Sequence, residues 1–155
     1  MFLSAIEYMI PKPIPFLRVG IANLPILVGL DLLPAPLLLL VVVLKVLGQA
    51  LVGGTLFSYV FLFSAAGSFS SALAMLAARR LQRANISLVG LGVIGALFGN
   101  AAQILLARLL IFGEAAWLIA PPFLAVGTVT AVLLGLFAER FTARSAWIAR
   151  LRGQP

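Results

Sequence analysis

The sequence contains no cysteine and no histidine, and only four of its 155 residues are acidic. Without cysteine the chain forms no disulfide and has no thiolate to offer a metal or a substrate. Without histidine it lacks the usual general base at neutral pH and the commonest transition-metal ligand. We therefore predict no catalytic residue, no metal site and no cofactor, and we expect that the chain is not an enzyme by itself.

Charged residues make up only 10% of the chain, whereas 63% of it is hydrophobic. A soluble domain carries about 25% charged residues, so a water-facing surface cannot be covered here. In lipid only helices and closed barrels satisfy the backbone, and the continuous apolar runs at 37–44 and 104–112 lack the alternation of a barrel strand. The composition predicts an all-α, polytopic membrane helix bundle.

Turn residues between the apolar runs divide the chain into about six helices, of which the first, at residues 1–10, is short. The other predicted spans cover 16–33, 37–52, 55–78, 86–112 and 115–137, and the prolines at 121 and 122 are expected to kink the last of them. Residues 1–138 then form a single transmembrane domain. Residues 139–155 form a basic amphipathic tail in the cytoplasm.

Two arginine clusters, at 79–83 and 140–152, flank apolar runs and set the expected orientation. Two spans separate the clusters, so both fall on one side, the cytoplasm, together with both termini. The Gly53-Gly54 turn and the 11–15 loop then lie outside. Basic residues that flank membrane spans form no soluble basic patch, so the net charge of +7 does not indicate a nucleic-acid partner.

Polar side chains interrupt several spans at membrane depth, where such groups are costly and usually face a cavity or a partner. Lys45 and Gln49 share one helix face, as do Asn100 and Gln103, and Arg108 follows near the latter face. We predict that these groups line a polar cavity that opens outward. The predicted ligand-binding residues are Arg18, Asn23, Lys45, Gln49, Asn100 and Gln103.

The segment before the second span alternates prolines and cannot continue a helix. We predict that it forms a gating loop over the cavity, made of Pro11, Lys12, Pro13 and Pro15. Lys12 and Arg18 lie on the outer side, against the usual distribution of basic residues, and are expected at the cavity mouth.

The sequence from Pro11 to Asn23 reads PKPIPFLRVGIAN, a proline-rich loop that leads through a basic residue to Gly-x-Ala-Asn. This pattern resembles the family called Gx transporters, also known as heptaprenyl diphosphate synthase component I. Lys45, Gly53-Gly54 and Asn100-x-x-Gln103 are further matches. The resemblance covers roughly residues 5–137.

That family is similar to the substrate-binding S components of energy-coupling-factor transporters. The resemblance implies a six-helix, multi-pass protein of the bacterial cytoplasmic (inner) membrane, in contact with membrane lipid, with both termini in the cytoplasm. It also implies capture of a vitamin-like small molecule from the outer face, and association with a transmembrane coupling subunit and ATPases.

The family's second name implies prenyl-chain synthesis, which needs Mg²⁺ held by aspartate-rich motifs. This chain has one aspartate, Asp31. The alternative is therefore a noncatalytic membrane subunit that handles an isoprenoid or quinone precursor, beside a soluble prenyltransferase or in a membrane redox complex. A third possibility, a purely structural membrane protein, predicts a polar set that is fully paired internally and no cavity.

Overall fold

The structure is a computed structural model that describes residues 23–82 and 86–145, and all regular structure within them is helical. The prediction of an all-α protein is confirmed for this part of the chain. The predicted first span, the gating loop (Pro11, Lys12, Pro13, Pro15), Arg18 and most of the tail lie outside the described residues. The helices are α1 (Leu24–Gly29), α2 (Ala35–Val52), α3 (Tyr59–Gln82), α4 (Leu88–Ala107) and α5 (Ala116–Arg144).

Among the described residues, three helical segments are long and apolar enough to cross a membrane: Ala35–Val52, Tyr59–Leu81 and Leu88–Arg144. The third segment contains both α4 and α5, which have 20 and 29 residues. At 1.5 Å per residue, 20 residues extend about 30 Å, which matches the hydrocarbon core of a bilayer. The membrane character of the protein is thus supported, whereas the count of six helices and the cytoplasmic position of the termini stay predictions.

Helix α2 is an apolar run with turn-forming residues at each end, prolines at its start and glycines at its end. Pro34 precedes its first residue, and Pro36 lies in its first turn, where the missing N–H costs nothing. At the other end Gly54 adopts φ +61°, and Thr55 N donates to Ala50 O at 2.9 Å. This left-handed glycine closure satisfies the last carbonyls and reverses the chain into α3.

The first turn of α4 is fixed by two side chains. Ser87 Oγ accepts from Gly90 N at 3.1 Å, and Glu139 of α5 accepts from Val89 N at 3.2 Å. A carboxylate there also complements the positive end of the helix dipole. The contact holds the C-terminal end of α5 beside the N-terminal end of α4, so the two helices are antiparallel.

Helix α5 differs from the predicted last span at its C-terminal boundary. It continues to Arg144, whereas the sequence indicated an end at residue 137, and the predicted tail from residue 139 therefore begins inside the helix. The physical reason is that Glu139 is bonded to α4 and Arg144 complements the negative helix end, so polar residues prolong the helix beyond its apolar run. The helix also includes Pro121 and Pro122 in its interior.

Small residues allow α4 to lie close to both of its neighbours. A Cβ at Gly99 would lie 2.9 Å from Gly67 O on α3, and one at Gly135 would lie 2.5 Å from the Cα of Val89. One at Gly92 would lie 3.2 Å from Ala131 O on α5. The glycine spacing in α4 and α5 thus serves packing inside the molecule, which is the usual role of this pattern in membrane helices.

The end of the bundle that carries Pro34 is held by an ion pair between Asp31 and Arg79. The guanidinium donates from Nε to Oδ1 at 2.8 Å and from Nη2 to Oδ2 at 2.6 Å, and its Nη1 donates to Ile86 O at 2.8 Å. One arginine thereby connects the residues before α2, the end of α3 and the residue that precedes Ser87. Arg79 and the C-terminal end of α5 lie at the same end of the bundle, as the topology predicted.

Candidate functional site

A polar cavity lies between the helices, with an empty volume of about 750 Å³ that includes its open mouth. Its lining comes from α2, α3, α4 and α5 and from the residues at the start of α1. Five of the six predicted ligand-binding residues line it, and the sixth, Arg18, lies outside the described residues. The five are Asn23, Lys45, Gln49, Asn100 and Gln103.

Four of the five side chains lie on the cavity faces of the otherwise apolar helices α2 and α4, and Asn23 lies directly before α1. Lys45 lies ten residues after Ala35 and Asn100 lies twelve after Leu88. At 1.5 Å per residue these positions are about 15 and 18 Å from the helix ends. The cavity is therefore deep within the bundle, where water is scarce and a polar group needs a partner.

Lys45 is buried, with 9% of its surface exposed. Its Nζ donates to Oδ1 of Asn23 and, at 3.1 Å, to Oγ of Ser68 on α3. A buried ammonium is tolerated when oxygen acceptors surround it. These contacts connect α2 with α3 and with the residue before α1. Lys45 therefore stabilises the packing of these segments and also places a cation in the cavity wall.

One turn further along α2, Gln49 continues the polar contact with α3. Ser64 Oγ donates to Gln49 Oε1 at 3.4 Å, which is long for a hydroxyl hydrogen bond and therefore weak. This bond and the Lys45–Ser68 bond are two side-chain hydrogen bonds, one helical turn apart, between α2 and α3.

Three serines of α3 complete the polar wall, and the sequence reasoning missed them. Ser64, Ser68 and Ser71 are 3%, 4% and 3% exposed, and the last two line the cavity. Their spacing of four and three residues places them on one helix face. That spacing was the available signal, but serine is common in membrane helices because its hydroxyl also bonds to its own backbone.

Gln103 is buried, with 7% of its surface exposed. Its Nε2 donates to Phe63 O on α3 at 3.2 Å. Its Oε1 is buried and has no hydrogen-bond partner among the residues that the structure describes. A Cβ at Gly67 would overlap the Gln103 amide, so the glycine makes room for this side chain against α3.

Asn100 is half-buried and lies against α5. A Cβ at Gly127 would overlap its Nδ2, so a glycine of α5 accommodates this amide as Gly67 accommodates that of Gln103. Asn100 and Gln103 share the cavity face of α4, which the three-residue spacing predicted.

Apolar residues form the rest of the cavity wall. Leu24, Leu27, Met75 and Leu134 line it beside the polar groups. A cavity with a few convergent polar groups on a largely apolar surface is typical of a small-molecule site. Its polar groups can donate through Lys45 and Asn100 and accept through Oε1 of Gln103.

The expectation that Arg108 joins this set is wrong. Its guanidinium pairs with Glu114 at 2.5 Å and lies 5.5 Å from the centre of the Trp117 ring. The reason is its angular position, because at 3.6 residues per turn Arg108 lies about 140° around the helix from Gln103, and α4 is regular up to Ala107. The π-helical turn Arg108–Phe112 and the break at Gly113, φ +52°, then bring Glu114 back to the guanidinium.

Within residues 23–82 and 86–145 there is no group of three or more acidic side chains, and no histidine or cysteine, that could hold a metal ion. The polar cavity contains hydrogen-bond donors and acceptors, a buried cation and apolar surface. This set can bind and orient a molecule, and it contains no paired acid and base for proton transfer.

Comparison with known proteins identifies one family. A model of the family described as heptaprenyl diphosphate synthase component I matches residues 1–141. The resemblance inferred from the sequence is thereby confirmed under that family name, whereas the name Gx transporter stays a prediction. No curated protein and no solved structure matches the chain.

Proposed function

Because this chain belongs to the heptaprenyl diphosphate synthase component I family, we propose that it is a noncatalytic membrane subunit whose role is to bind one small molecule in the polar cavity. The binding is of the kind carried out by an S component, which takes its ligand from the outer face. The proposal extends to a transmembrane coupling subunit with ATPases as the partner that drives transport.

The observation that carries the proposal is the unsatisfied acceptor in the cavity wall. A buried carbonyl oxygen without a donor costs about 1–3 kcal/mol, and most such atoms in proteins are paired. Gln103 Oε1 lacks a donor among the described residues and lines a cavity beside Lys45. A ligand that donates to this oxygen supplies its missing hydrogen bond, and the same molecule lies within reach of the Lys45 ammonium.

The buried cation supports a polar or anionic head on the ligand. Lys45 lies among oxygen atoms of Asn23 and Ser68, and no carboxylate belongs to the described lining of the cavity. An electronegative ligand atom near Nζ adds a further acceptor in a medium of low dielectric constant, where such contacts are strong.

The test is native mass spectrometry of the protein released gently from its membrane. We expect a bound small molecule at a reproducible stoichiometry, with its occupancy lost in the Lys45→Met and Asn100→Ala variants. Arg80→Met is the matched control, because Arg80 is an exposed cation at the end of α3, and it should keep the molecule. Full occupancy in both cavity variants would contradict the site assignment.

A second candidate follows from the family description. The words "component I" imply a partner component of heptaprenyl diphosphate synthase, so the chain is then a membrane subunit beside a soluble prenyltransferase. This candidate predicts that the protein copurifies with a soluble enzyme and that no ATPase is recovered. Mass spectrometry of the intact complexes distinguishes the two candidates in the same experiment.

A further inference from the structure

A second cavity lies next to the polar cavity, towards the end of the bundle that carries Arg108. Its empty volume is about 380 Å³, including its open side. Apart from Gln103, the described residues that line it are all apolar. They include Phe63, Ile104, Phe112, Ala116, Ile119 and Phe123. We refer to it as the apolar cavity.

Gln103 belongs to the lining of both cavities. Its side chain therefore lies at the boundary between a polar and an apolar space. Its Nε2 is bonded to the carbonyl of Phe63, an apolar-cavity residue, and its Oε1 has no partner among the described residues. The Gln103 amide thus separates the part of the lining that has polar groups from the part that is apolar.

We infer that the ligand is an amphiphile, with a hydrogen-bonding head in the polar cavity and a hydrocarbon chain that passes Gln103 into the apolar cavity. The inference rests on the proposed function, because it assigns the class of molecule that the same site takes. The head donates to Gln103 Oε1 and accepts from Lys45. The chain fills a space whose lining offers it only apolar contacts.

Each half of such a molecule is better accommodated in its own cavity than in the other. A hydrocarbon chain in the polar cavity would cover Lys45, Asn100 and Gln103 without supplying hydrogen bonds, which is costly for each group. A polar head in the apolar cavity would lose its own hydrogen bonds in the same way. The order of the two cavities along the bundle therefore fixes both the orientation and the amphiphilic class of the ligand.

The probe for the test is a geraniol analogue that carries a diazirine at the end of its chain. A primary alcohol is the simplest head that both donates and accepts a hydrogen bond, and the chain tests the apolar cavity. The whole protein in lipid nanodiscs is photolabelled, and the labelled residues are mapped by peptide mass spectrometry. Unlabelled geraniol and the shorter prenol serve as competitors.

Two variants block the apolar cavity from opposite sides, Ala107→Phe on the residue that ends α4 and Ile119→Trp on α5. The second keeps the test decisive where the first fails to fold. The matched control is Ala101→Phe, the same change at an exposed position of α4. Thermal unfolding in detergent verifies that each variant is folded.

We expect labels on residues of the apolar cavity, with geraniol competing better than prenol. The label should fall about tenfold or more in a folded blocking variant, because excluding a hydrocarbon chain from an apolar site removes its main binding energy, and it should persist in Ala101→Phe. Labels that lie on the polar-cavity residues and ignore the blocking changes would overturn the amphiphile inference and leave the proposed function intact. Labels confined to lipid-facing residues, without competition, would overturn both.

Discussion

Replacing Gln103 by leucine should stabilise the protein while it weakens ligand binding. The side chain is 7% exposed, and one of its two polar atoms, Oε1, has no partner among the described residues. Its other polar atom, Nε2, donates to Phe63 O at 3.2 Å. That carbonyl lies inside α3, where helical geometry also pairs it with the amide of Gly67, so it keeps a partner after the change.

The magnitude follows from these two groups. Removing an unsatisfied buried carbonyl recovers about 1–3 kcal/mol, whereas losing one neutral hydrogen bond costs about 0.5–1.5 kcal/mol. Leucine has a volume close to that of glutamine and fits an apolar wall, so the packing cost is small. The net gain is about 1 kcal/mol, which corresponds to an increase in melting temperature of roughly 2–4 °C for a chain of this size.

The assay is thermal unfolding in detergent of protein that has been washed free of bound molecules, since a ligand would itself stabilise the native form. Gln49→Leu is the matched control. It removes the acceptor of Ser64 on the same polar wall and should lower the melting temperature. A lower melting temperature for Gln103→Leu would refute the reasoning, because it would mean that Oε1 is satisfied in the folded protein.

Two further predictions concern the framework around the site. Gly135→Ala should destabilise the protein by about 1–3 kcal/mol, because the new Cβ would lie 2.5 Å from the Cα of Val89 and the backbone must shift; an unchanged unfolding midpoint in urea would contradict this packing. Asp31→Asn should cost about 1 kcal/mol by weakening the bidentate pair with Arg79, and Glu114→Gln should cost less, because Glu114 is 77% exposed. The stability of both variants is measured by thermal unfolding at low salt. An equal loss of stability in the two would contradict the expectation that the less exposed ion pair contributes more.

The helices could be predicted because a membrane helix is defined by a long apolar run and ends at turn residues. Pro34 and Gly54 mark boundaries that the structure reproduces, and α4 begins two residues after the predicted start of its span, capped by Ser87. The end of α5 could not be read in the same way. Its last residues are held by the contact of Glu139 with α4, a tertiary interaction that has no trace in the local pattern.

The cavity residues on α2 and α4 could be predicted because each is a polar side chain inside an apolar run, and such a residue must face inward. Arg108 met the same criterion and was placed wrongly, because it follows Gln103 by five residues and therefore lies about 140° around the helix from it.

Two glycines that face two amides argue against the alternative of a purely structural membrane protein, in which the polar side chains would only pair with one another. Gly67 and Gly127 each leave the space of a Cβ to an amide of α4, that of Gln103 and that of Asn100. An interior that only had to pack would be better served by alanines opposite leucines, since burying an amide has a cost and gains little without partners. The structure instead holds an open cavity and an unsatisfied acceptor in its described part. Both features support the proposal that a further molecule contributes to the hydrogen bonding in the polar cavity, which a self-contained bundle would not need.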